Sequence, residues 1–241
     1  MKTLKEIENL NKSFQDKFGT DIVIAEQGSQ GWLQTRLGVI TASEVSKAVA
    51  KLGSETRNSY MCQLVGEIAS GVTEEINSKY MDWGKLNEQA ARSSYEFANN
   101  CRIEQVGFIF KDNSFREGAS IDGFITGTNK LVEIKCPYNT ANFIKFALQD
   151  KIKAEYQWQY QYQMRVTGAE VADFVQFDPR VISKPLKIIT VEIDQEYQKA
   201  FDELIPLFIS DMDGMLKTLG INFGDQWKRI ANKNQIQGSA S

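Results

Sequence analysis

The chain has 241 residues, of which 42% are hydrophobic and 24% charged, and this is enough to bury one substantial core. It contains no histidine, so a Ser-His-Asp triad, a Cys-His pair and a histidine-bound zinc ion are excluded. The formal net charge of −3 gives no global sign of nucleic-acid binding, which usually shows as a high pI or a basic patch. Any catalysis must depend on carboxylate, Lys, Tyr or Ser side chains, or on a metal ion held by oxygen atoms.

The sequence carries no membrane or export signal that can be recognised. No apolar run approaches the roughly 20 residues of a membrane helix, and the N-terminus lacks the apolar centre of a signal peptide, so we expect a cytoplasmic protein. The three cysteines are widely spaced, which favours reduced thiols over a disulfide framework or a zinc site. Without repeats or a linker, we predict a single domain over residues 1–227 and a disordered tail over residues 228–241.

The first third of the chain is predicted to be mainly helical. Apolar residues spaced by three or four predict a helix that ends at Gly19. "DIVIAEQGS" predicts a short strand and turn, and two helical pieces follow, the second opening with a capping box from Thr41 to Glu44. "SKYMDWGKLNEQAARSSYEFANN" predicts a loop that leads into a helix carrying Glu88 and Arg92 on adjacent turns.

The remainder alternates strands and helices. Residues 104–137 predict a meander of about three strands. "AEYQWQYQYQMRVTG" has the alternation of a strand, but its spacing and Gly168 favour a helix, which is our prediction. Two more strands and an amphipathic helix that Pro206 kinks or splits complete the chain. The fold class is therefore α/β (α+β), with a central, mostly antiparallel or mixed sheet flanked by helices.

The stretch "LVEIKCP" combines a buried-strand pattern with two charges. Side chains alternate along a strand, so Glu133 and Lys135 project on the same side, roughly 7 Å apart. Asp122 ends a strand eleven residues before Glu133, and tight turns can bring the two carboxylates together. Such a pair suits Mg²⁺, which prefers oxygen ligands and lowers the pKa of a bound water. Lys135 would hold or deprotonate the attacking water, or stabilise the negative phosphate oxygens.

A simpler interpretation competes with this site. A Glu-x-Lys pair on a strand is usually a solvent-exposed ion pair worth about 0–1 kcal/mol, and these two residues alone favour that interpretation. The wider pattern reverses the balance: a "SIDG" turn, an "EIK" strand and an upstream helix with Glu88 together form the PD-(D/E)xK nuclease pattern.

Several longer motifs occur in the order and approximate spacing of one known family. They are "AEQGSQGWLQTRLGVITASEV", "WGKLNEQAAR", "SIDG", "LVEIKCP", "YQWQYQYQMRVTG", "FDPR" and "FGDQW". From about Ile24 to Trp227 the chain resembles the bacteriophage lambda exonuclease family, also called YqaJ-type viral recombinases, within the PD-(D/E)xK nucleases. One departure is Ile121 in place of the proline of the "PD" half, a change that affects turn shape and no chemistry.

The resemblance implies a restriction-endonuclease-like core and a Mg²⁺-dependent exonuclease with two metal ions, for which Mn²⁺ would substitute. Such an enzyme degrades linear double-stranded DNA from 5′-phosphorylated ends in the 5′ to 3′ direction. It releases mononucleotides and leaves a 3′ single strand for recombination in the bacterial cytoplasm. The resemblance also implies a ring-shaped homotrimer and a phage single-strand annealing protein as partner, with no membrane association.

The same resemblance assigns roles to individual residues. Asp122, Glu133 and the carbonyl of Ile134 correspond to metal ligands, and Lys135 to the catalytic lysine. Glu88 corresponds to a glutamate near the second metal ion, and Gln159 to a glutamine beside the attacking water. The competing interpretation makes Glu88 a helix-surface charge, and Gln159 is one of several alternating glutamines whose register is open to a shift of two.

A second group of residues corresponds to a 5′-phosphate pocket. The resemblance places phosphate contacts at Arg36 and Ser43, with Thr41 and Ser120 as additions. A helix that begins near Thr41 offers free N–H groups to an anion, and arginine binds phosphate bidentately. The alternative is that Thr41 and Glu44 simply cap a helix.

Two apolar features are weaker candidates for DNA contacts. Met81, in the predicted loop, would insert between terminal base pairs, although core packing is the commoner role of methionine. Trp158, Tyr160 and Tyr162 would stack on bases, but packing is again the commoner role. Two other functions stay open: an endonuclease of the same fold, and a DNA-end-binding scaffold without catalysis, against which the retained Asp122, Glu133 and Lys135 argue.

Overall fold

The computed structural model describes residues 1–73 and 79–238, with side chains to residue 232. The helices in these ranges are α1 Leu4–Phe18, α2 Gln30–Thr35, α3 Val45–Ala48, α4 Glu55–Ser70, α5 Lys79–Asn99, α6 Thr140–Gln149, α7 Ala154–Thr167, α8 Gln195–Leu219 and α9 Asp225–Gly238, with a 3₁₀ helix at Ile22–Ile24. The strands are β1 Ile40–Thr41, β2 Ile103–Glu104, β3 Phe108–Phe110, β4 Glu117–Ser120, β5 Gly123–Ile125, β6 Lys130–Lys135, β7 Val171–Phe177 and β8 Leu186–Glu192. None of the helices in these ranges is long and apolar enough to cross a membrane.

The central sheet is mixed, as predicted. Its five strands have the order β2-β5-β6-β7-β8, in which β6 and β7 are parallel and the other pairs antiparallel. A second sheet has the order β1-β4-β3, with β1 parallel to β4. Helices flank the central sheet, which confirms the predicted fold class.

Strand β6 is buried on both sides because helices cover both faces of the sheet. Leu131 belongs to the main core, which also contains apolar residues of α4, α7 and α8. Val132 and Ile134 point to the opposite side and pack with Ala91 and Tyr95 of α5. A strand at the centre of a covered sheet is expected to have this continuous apolar character.

Local signals correctly predicted α1 and α7, whereas α4 was not predicted. Thr3 and Glu6 form a capping box at the start of α1, and Gly19 ends it in the left-handed conformation at φ 72°. Gly168, with the same φ, ends α7, so the glutamine-rich segment is a helix. Pro206 does not split the last predicted helix, because α8 runs without interruption from Gln195 to Leu219.

The predicted three-strand meander is wrong, because the chain forms five short strands in two sheets. "RIEQVGFIF" divides into β2 and β3, and "GASIDGFITG" divides into β4 and β5. Gly123 makes the second division possible: its φ of 154° suits glycine, and a Cβ there would approach Ile103 Cγ2 to 2.2 Å. Asp122 therefore lies at the break between the two sheets.

Two other local predictions fail for tertiary reasons. The predicted strand at "DIVI" is the 3₁₀ helix, in which Ile22 and Val23 are buried and Ile24 is exposed. The predicted capping box at Thr41 does not form, because Thr41 pairs with Gly118 of β4 and α3 begins only at Val45.

The C-terminal region is helical where we expected disorder. Residues 228–238 belong to α9, and Ile230 and Ala231 are buried. The fully buried Trp227 packs against Phe14 and Phe18 of α1, which ties α9 to the body of the protein. Residues 239–241 lie outside the described residues, and the domain boundary at residue 227 stays a prediction.

Candidate active site

Glu133 and Lys135 form an ion pair on one side of β6, but it is not a surface pair. Lys135 Nζ lies 2.6 Å from Glu133 Oε1, and only 4% of the Glu133 side chain is exposed. Placing a carboxylate in such a position is costly unless its oxygens have partners. The solvent-exposed interpretation of the pair is therefore wrong.

Asp122 reaches the same strand from the break between β4 and β5. Its Oδ2 accepts a 2.5 Å hydrogen bond from the backbone N–H of Ile134, between Glu133 and Lys135. The fold thus brings together the two carboxylates that the sequence placed eleven residues apart.

The electrostatics of this group favour a bound cation. Burial, and then the negative charges of Glu133 and Glu88, raise the pKa of Asp122 well above its usual value, although Lys135 opposes the shift. Burial alone would lower the pKa of Lys135, but Glu133 and Asp122 outweigh it and raise that pKa. The two carboxylates therefore favour the charged ammonium form of Lys135.

Two glutamines of α7 hold the Glu133 carboxylate. Gln159 donates to Oε1 and Gln163 to Oε2, each at 2.6 Å, because residues four apart lie on the same helix face. Gln163 also donates to the carbonyl of Ser120 at 3.1 Å. Gln159 therefore contacts Glu133, and its predicted role beside the attacking water stays a prediction. Gln163 is a contact that the sequence analysis missed; the Gln-x-x-x-Gln spacing was the available signal.

Glu88 faces the same site from α5. It accepts a 2.7 Å hydrogen bond from Arg92 one turn later and is 37% exposed. We call Glu88, Asp122, Glu133 and Lys135 the carboxylate–lysine cluster. Glu88, Asp122 and Lys135 line a cleft of about 990 Å³.

The cleft is basic although the chain is acidic. Its lining contains two carboxylates, Glu88 and Asp122, and five lysines: Lys85, Lys135, Lys145, Lys151 and Lys153. Positive charge is therefore local to this surface, as the composition requires for an anionic partner.

Cys136 follows Lys135 but takes no evident part in the chemistry. Burial, together with Glu88, Asp122 and Asp178, raises its pKa to about 12, so the thiol is protonated and weakly reactive at neutral pH.

Two of the predicted phosphate residues, Arg36 and Ser120, contact Trp32, which lines the cleft. We call Arg36, Thr41, Ser43 and Ser120, together with Trp32, the arginine pocket. Arg36 stacks on the Trp32 ring at 4.1 Å, and the Trp32 indole N–H donates to Ser120 Oγ at 2.9 Å. The hydroxyl oxygens of Thr41 and Ser43 lie 3.4 Å apart. Trp32 also lines the cleft, so it links the pocket to the carboxylate–lysine cluster.

The charge of Arg36 is only partly balanced by the protein. Burial lowers the pKa of this guanidinium, and Tyr60, Glu67 and Glu44 offset the effect incompletely. A bound anion would improve that balance. The predicted contribution of a helix N-terminus is wrong, however, because α3 has four residues and begins after Thr41 and Ser43.

Met81 and the aromatic residues of α7 differ in accessibility. Met81 lies in the first turn of α5 rather than in a loop, is 48% exposed and lines the cleft. Residue 78 of the predicted loop lies outside the described residues. Tyr162 is fully buried, and Trp158 packs on Tyr197 with ring centroids 4.5 Å apart. The α7 aromatics therefore pack in the core.

The donors at the site fit a hard cation such as Mg²⁺. Within the described residues no three Asp, Glu or Cys side chains form a group that could hold a metal ion. Mg²⁺ does not need a group of three such side chains, because it is commonly bound by one or two carboxylates and keeps several waters. Asp122, Glu133 and the carbonyl of Ile134 offer oxygen ligands, and burial, followed by the negative charges of Glu133 and Glu88, raises the pKa of Asp122.

The segment that contains these residues matches a known protein family. The family model described as the YqaJ-like viral recombinase domain matches residues 31–170, which contain the carboxylate–lysine cluster and the arginine pocket. The chain belongs to this family. The resemblance to lambda-exonuclease-type proteins, first inferred from motifs, is thereby confirmed.

Solved structures and a curated relative support the family assignment. LHK-Exo, an alkaline exonuclease from Laribacter hongkongensis solved in complex with dAMP, is 31% identical, with 85% of this chain and 99% of that chain aligned at a TM-score of 0.73. A phage-related exonuclease from Haemophilus somnus 129PT, at 15% identity and TM-score 0.63, covers 75% of this chain and 96% of its own and shows likeness of fold alone. The putative uncharacterized protein ExoD of Escherichia coli K12 is 38% identical over 79 residues, 33% of this chain and 91% of that protein.

Proposed function

We propose that this protein is a Mg²⁺-dependent exonuclease that degrades linear double-stranded DNA from 5′ ends, releases 5′-mononucleotides and leaves a 3′ single strand for phage recombination by strand annealing. The observation that carries the proposal is the carboxylate–lysine cluster, three members of which line a basic cleft, in a member of the YqaJ-like family. The exonuclease activity of LHK-Exo, aligned over nearly its whole length, supports the same reaction class.

The residues that would hold magnesium are Asp122, Glu133, the carbonyl of Ile134 and, for a second ion, Glu88. When bound, such ions supply activation of water and stabilisation of charge on the attacked and departing oxygens. This fits a chain without histidine, in which a neutral imidazole cannot serve as general base.

The chain's own residues have separable roles in this proposal. The Lys135 ammonium stabilises negative charge that develops on the scissile phosphate, a contribution for which a fixed donor is well suited. Gln159 and Gln163 fix both oxygens of Glu133, so the carboxylate is orientated before substrate arrives. The resemblance also assigns the Gln159 amide a contact with the attacking water.

The arginine pocket would bind the terminal 5′-phosphate. Arg36 supplies the charge, with Ser43, Thr41 and Ser120 as hydroxyl donors, and Trp32 holds the guanidinium by stacking. Because Trp32 borders both the pocket and the cleft, a phosphate in the pocket would place the first phosphodiester near Asp122. Met81 at the cleft would part the terminal base pair.

Assembly and partner are part of the same proposal. The resemblance supports a ring-shaped homotrimer around DNA and a phage single-strand annealing protein that loads on the exposed 3′ strand. Light scattering of the purified protein would give about three times the 27.3 kDa chain mass if the trimer forms.

A strand-labelled digestion tests the reaction. Linear duplex with a 5′-phosphate, labelled separately at each 5′ and 3′ end, should release labelled mononucleotide first from 5′ labels in Mg²⁺. Closed circular duplex of the same sequence should stay intact. Cleavage of the circle would instead favour an endonuclease, and binding of ends without any release would favour a scaffold.

A further inference from the structure

Two tyrosines are exposed at the cleft, unlike the aromatic residues of the core. Tyr80, in the first turn of α5, is 59% exposed, and Tyr138, three residues after Lys135, is 40% exposed. Both line the cleft together with Glu88 and Lys135. The fold thus presents two large amphipathic rings to the space in which the proposed reaction occurs.

The two rings form one basic aromatic corner. Their centroids lie 5.2 Å apart in a T-shaped arrangement, with an interplanar angle of 81°. The Lys79 ammonium lies 5.4 Å from the centre of the Tyr80 ring and 5.3 Å from that of Tyr138. A planar group that stacks on either ring would therefore lie close to a positive charge.

The backbone that carries Tyr138 is firmly held. Arg180 Nη2 donates to the carbonyls of Tyr138 at 2.9 Å and Pro137 at 3.1 Å. The buried carboxylate of Asp178 fixes the same guanidinium with two contacts of 2.8 Å, and the guanidinium stacks on Trp83 at 4.3 Å. The "FDPR" motif thus orientates Tyr138 in advance, which reduces the entropy lost on binding.

The charge of the cleft selects an anionic polymer as ligand. Five lysines and two carboxylates line it, so phosphates would bind along its wall. Lysines do not distinguish duplex from single strand, because both present phosphates. Exposed aromatic rings do, since stacking requires the face of an unpaired base.

We propose that Tyr138, together with Tyr80, forms a stacking site for an unpaired nucleobase of the DNA strand that enters the cleft. This rests on the proposed nuclease function and extends it. In this proposal, the strand that reaches Glu88, Asp122 and Lys135 separates from its complement, so its terminal base is unpaired and its face is open to the protein. The tyrosine pair provides a stacking surface for that base and retains the opened strand end.

Fluorescence of 2-aminopurine tests the site directly. The full chain, in chelator so that no digestion occurs, is titrated with single strands of about 12 nucleotides, within the usual site sizes of roughly 4–16. Each strand carries 2-aminopurine at one position from the 5′ end. Stacking on a tyrosine quenches the emission, so we expect quenching by the parent at one or two adjacent positions.

Matched variants separate stacking from folding. Tyr138→Phe keeps the ring and should retain the quenching, whereas Tyr138→Leu should abolish it and raise Kd about tenfold, equivalent to 1.4 kcal/mol. Tyr80→Leu should reduce both the quenching and the affinity for the strand. Phe97→Leu, which changes a 92% exposed ring on the same helix outside the cleft lining, should behave as the parent.

The outcomes distinguish this inference from the proposed function. Unchanged quenching and Kd in Tyr138→Leu would overturn the stacking site even if the parent digests duplex DNA in Mg²⁺. The stacking site would also be overturned if Tyr138→Leu changed the mass measured by light scattering but not the quenching. That result would assign the Tyr138 ring to a contact between copies of the chain. If the parent quenches the emission, Tyr138→Leu and Tyr80→Leu lose that quenching, and the parent digests no DNA in Mg²⁺, the stacking site is supported and the proposed nuclease function is contradicted.

Discussion

The two ends of strand β6 each carry a lysine paired with a buried carboxylate, but their surroundings differ. At the first end, Lys130 lies 3.1 Å from Asp173, and Asp173 also accepts hydrogen bonds from Tyr95 and Thr190. Asp173 is therefore fully partnered within the protein. This end, which we call the closed end, has the features of a structural network.

The second end of β6, which we call the cleft end, differs from the closed end in two ways: it has additional carboxylates, and it opens into the cleft. Lys135 pairs with Glu133, but Asp122 and Glu88 add further carboxylates beside a basic opening. The lysines are equally exposed, at 28%, as are their partners, at 4%. The ion pairs alone therefore do not distinguish the two ends; the additional carboxylates and the cleft do.

Removing a carboxylate at each end should have opposite effects on stability. Asp173→Ala leaves Lys130 and the Tyr95 hydroxyl without their partner, and we expect a loss of about 3 kcal/mol. Because the pKa of Asp122 is raised in the folded state, its ionisation costs stability at pH values above its unfolded pKa, and Asp122→Asn removes that cost. Urea unfolding at pH 7 in chelator should therefore show Asp122→Asn at least as stable as the parent. An equal loss of unfolding free energy in Asp173→Ala and Asp122→Asn would contradict the proposed difference between the two ends.

Magnesium should stabilise the parent through the cleft end alone. At a free Mg²⁺ concentration about 100 times Kd, the expected gain is about 2.7 kcal/mol, which thermal unfolding would report as a rise of roughly 5–10 °C. Asp122→Asn should lose most of that rise, whereas Lys130→Met should keep it. A rise that is the same in Asp122→Asn would place the ion elsewhere.

Arg36→Ala should weaken the preference for 5′-phosphorylated ends. Loss of a charge-assisted contact worth about 1.5–3 kcal/mol corresponds to an increase in KM of roughly 10- to 100-fold on such ends. Digestion of 5′-hydroxyl ends should change little, and Arg102→Ala, at an arginine outside the pocket, serves as control. Equal impairment on both kinds of end would assign Arg36 a structural role.

The sequence predicted the parts of the site that depend on local periodicity. Strand alternation places Glu133 and Lys135 on one side of β6, whereas Gln159 was assigned from the family motif. Asp122 was paired correctly with Glu133 because short turns limit where the chain can return. The family motifs supplied the phosphate residues.

Other features depended on contacts between distant segments. The capping box at Thr41 had a valid local pattern, but parallel pairing with β4, more than seventy residues later, removed Thr41 from the helix. Trp32 contacts Ser120 across 88 residues, and no local pattern indicates that approach. The break at Asp122 arises because the segment that we predicted as one strand pairs in two different sheets, through β4 and β5. Tertiary packing decided each of these features.

The most direct test compares Lys135→Met with Lys130→Met in Mg²⁺ on linear 5′-phosphorylated duplex DNA, at a temperature where circular dichroism shows both variants folded. We predict that Lys135→Met loses roughly 10²- to 10³-fold in rate, as for removal of one fixed donor to a developing charge, while Lys130→Met keeps the parent rate. Equal rates in the two variants would contradict the assignment of the active site to the cleft end of β6.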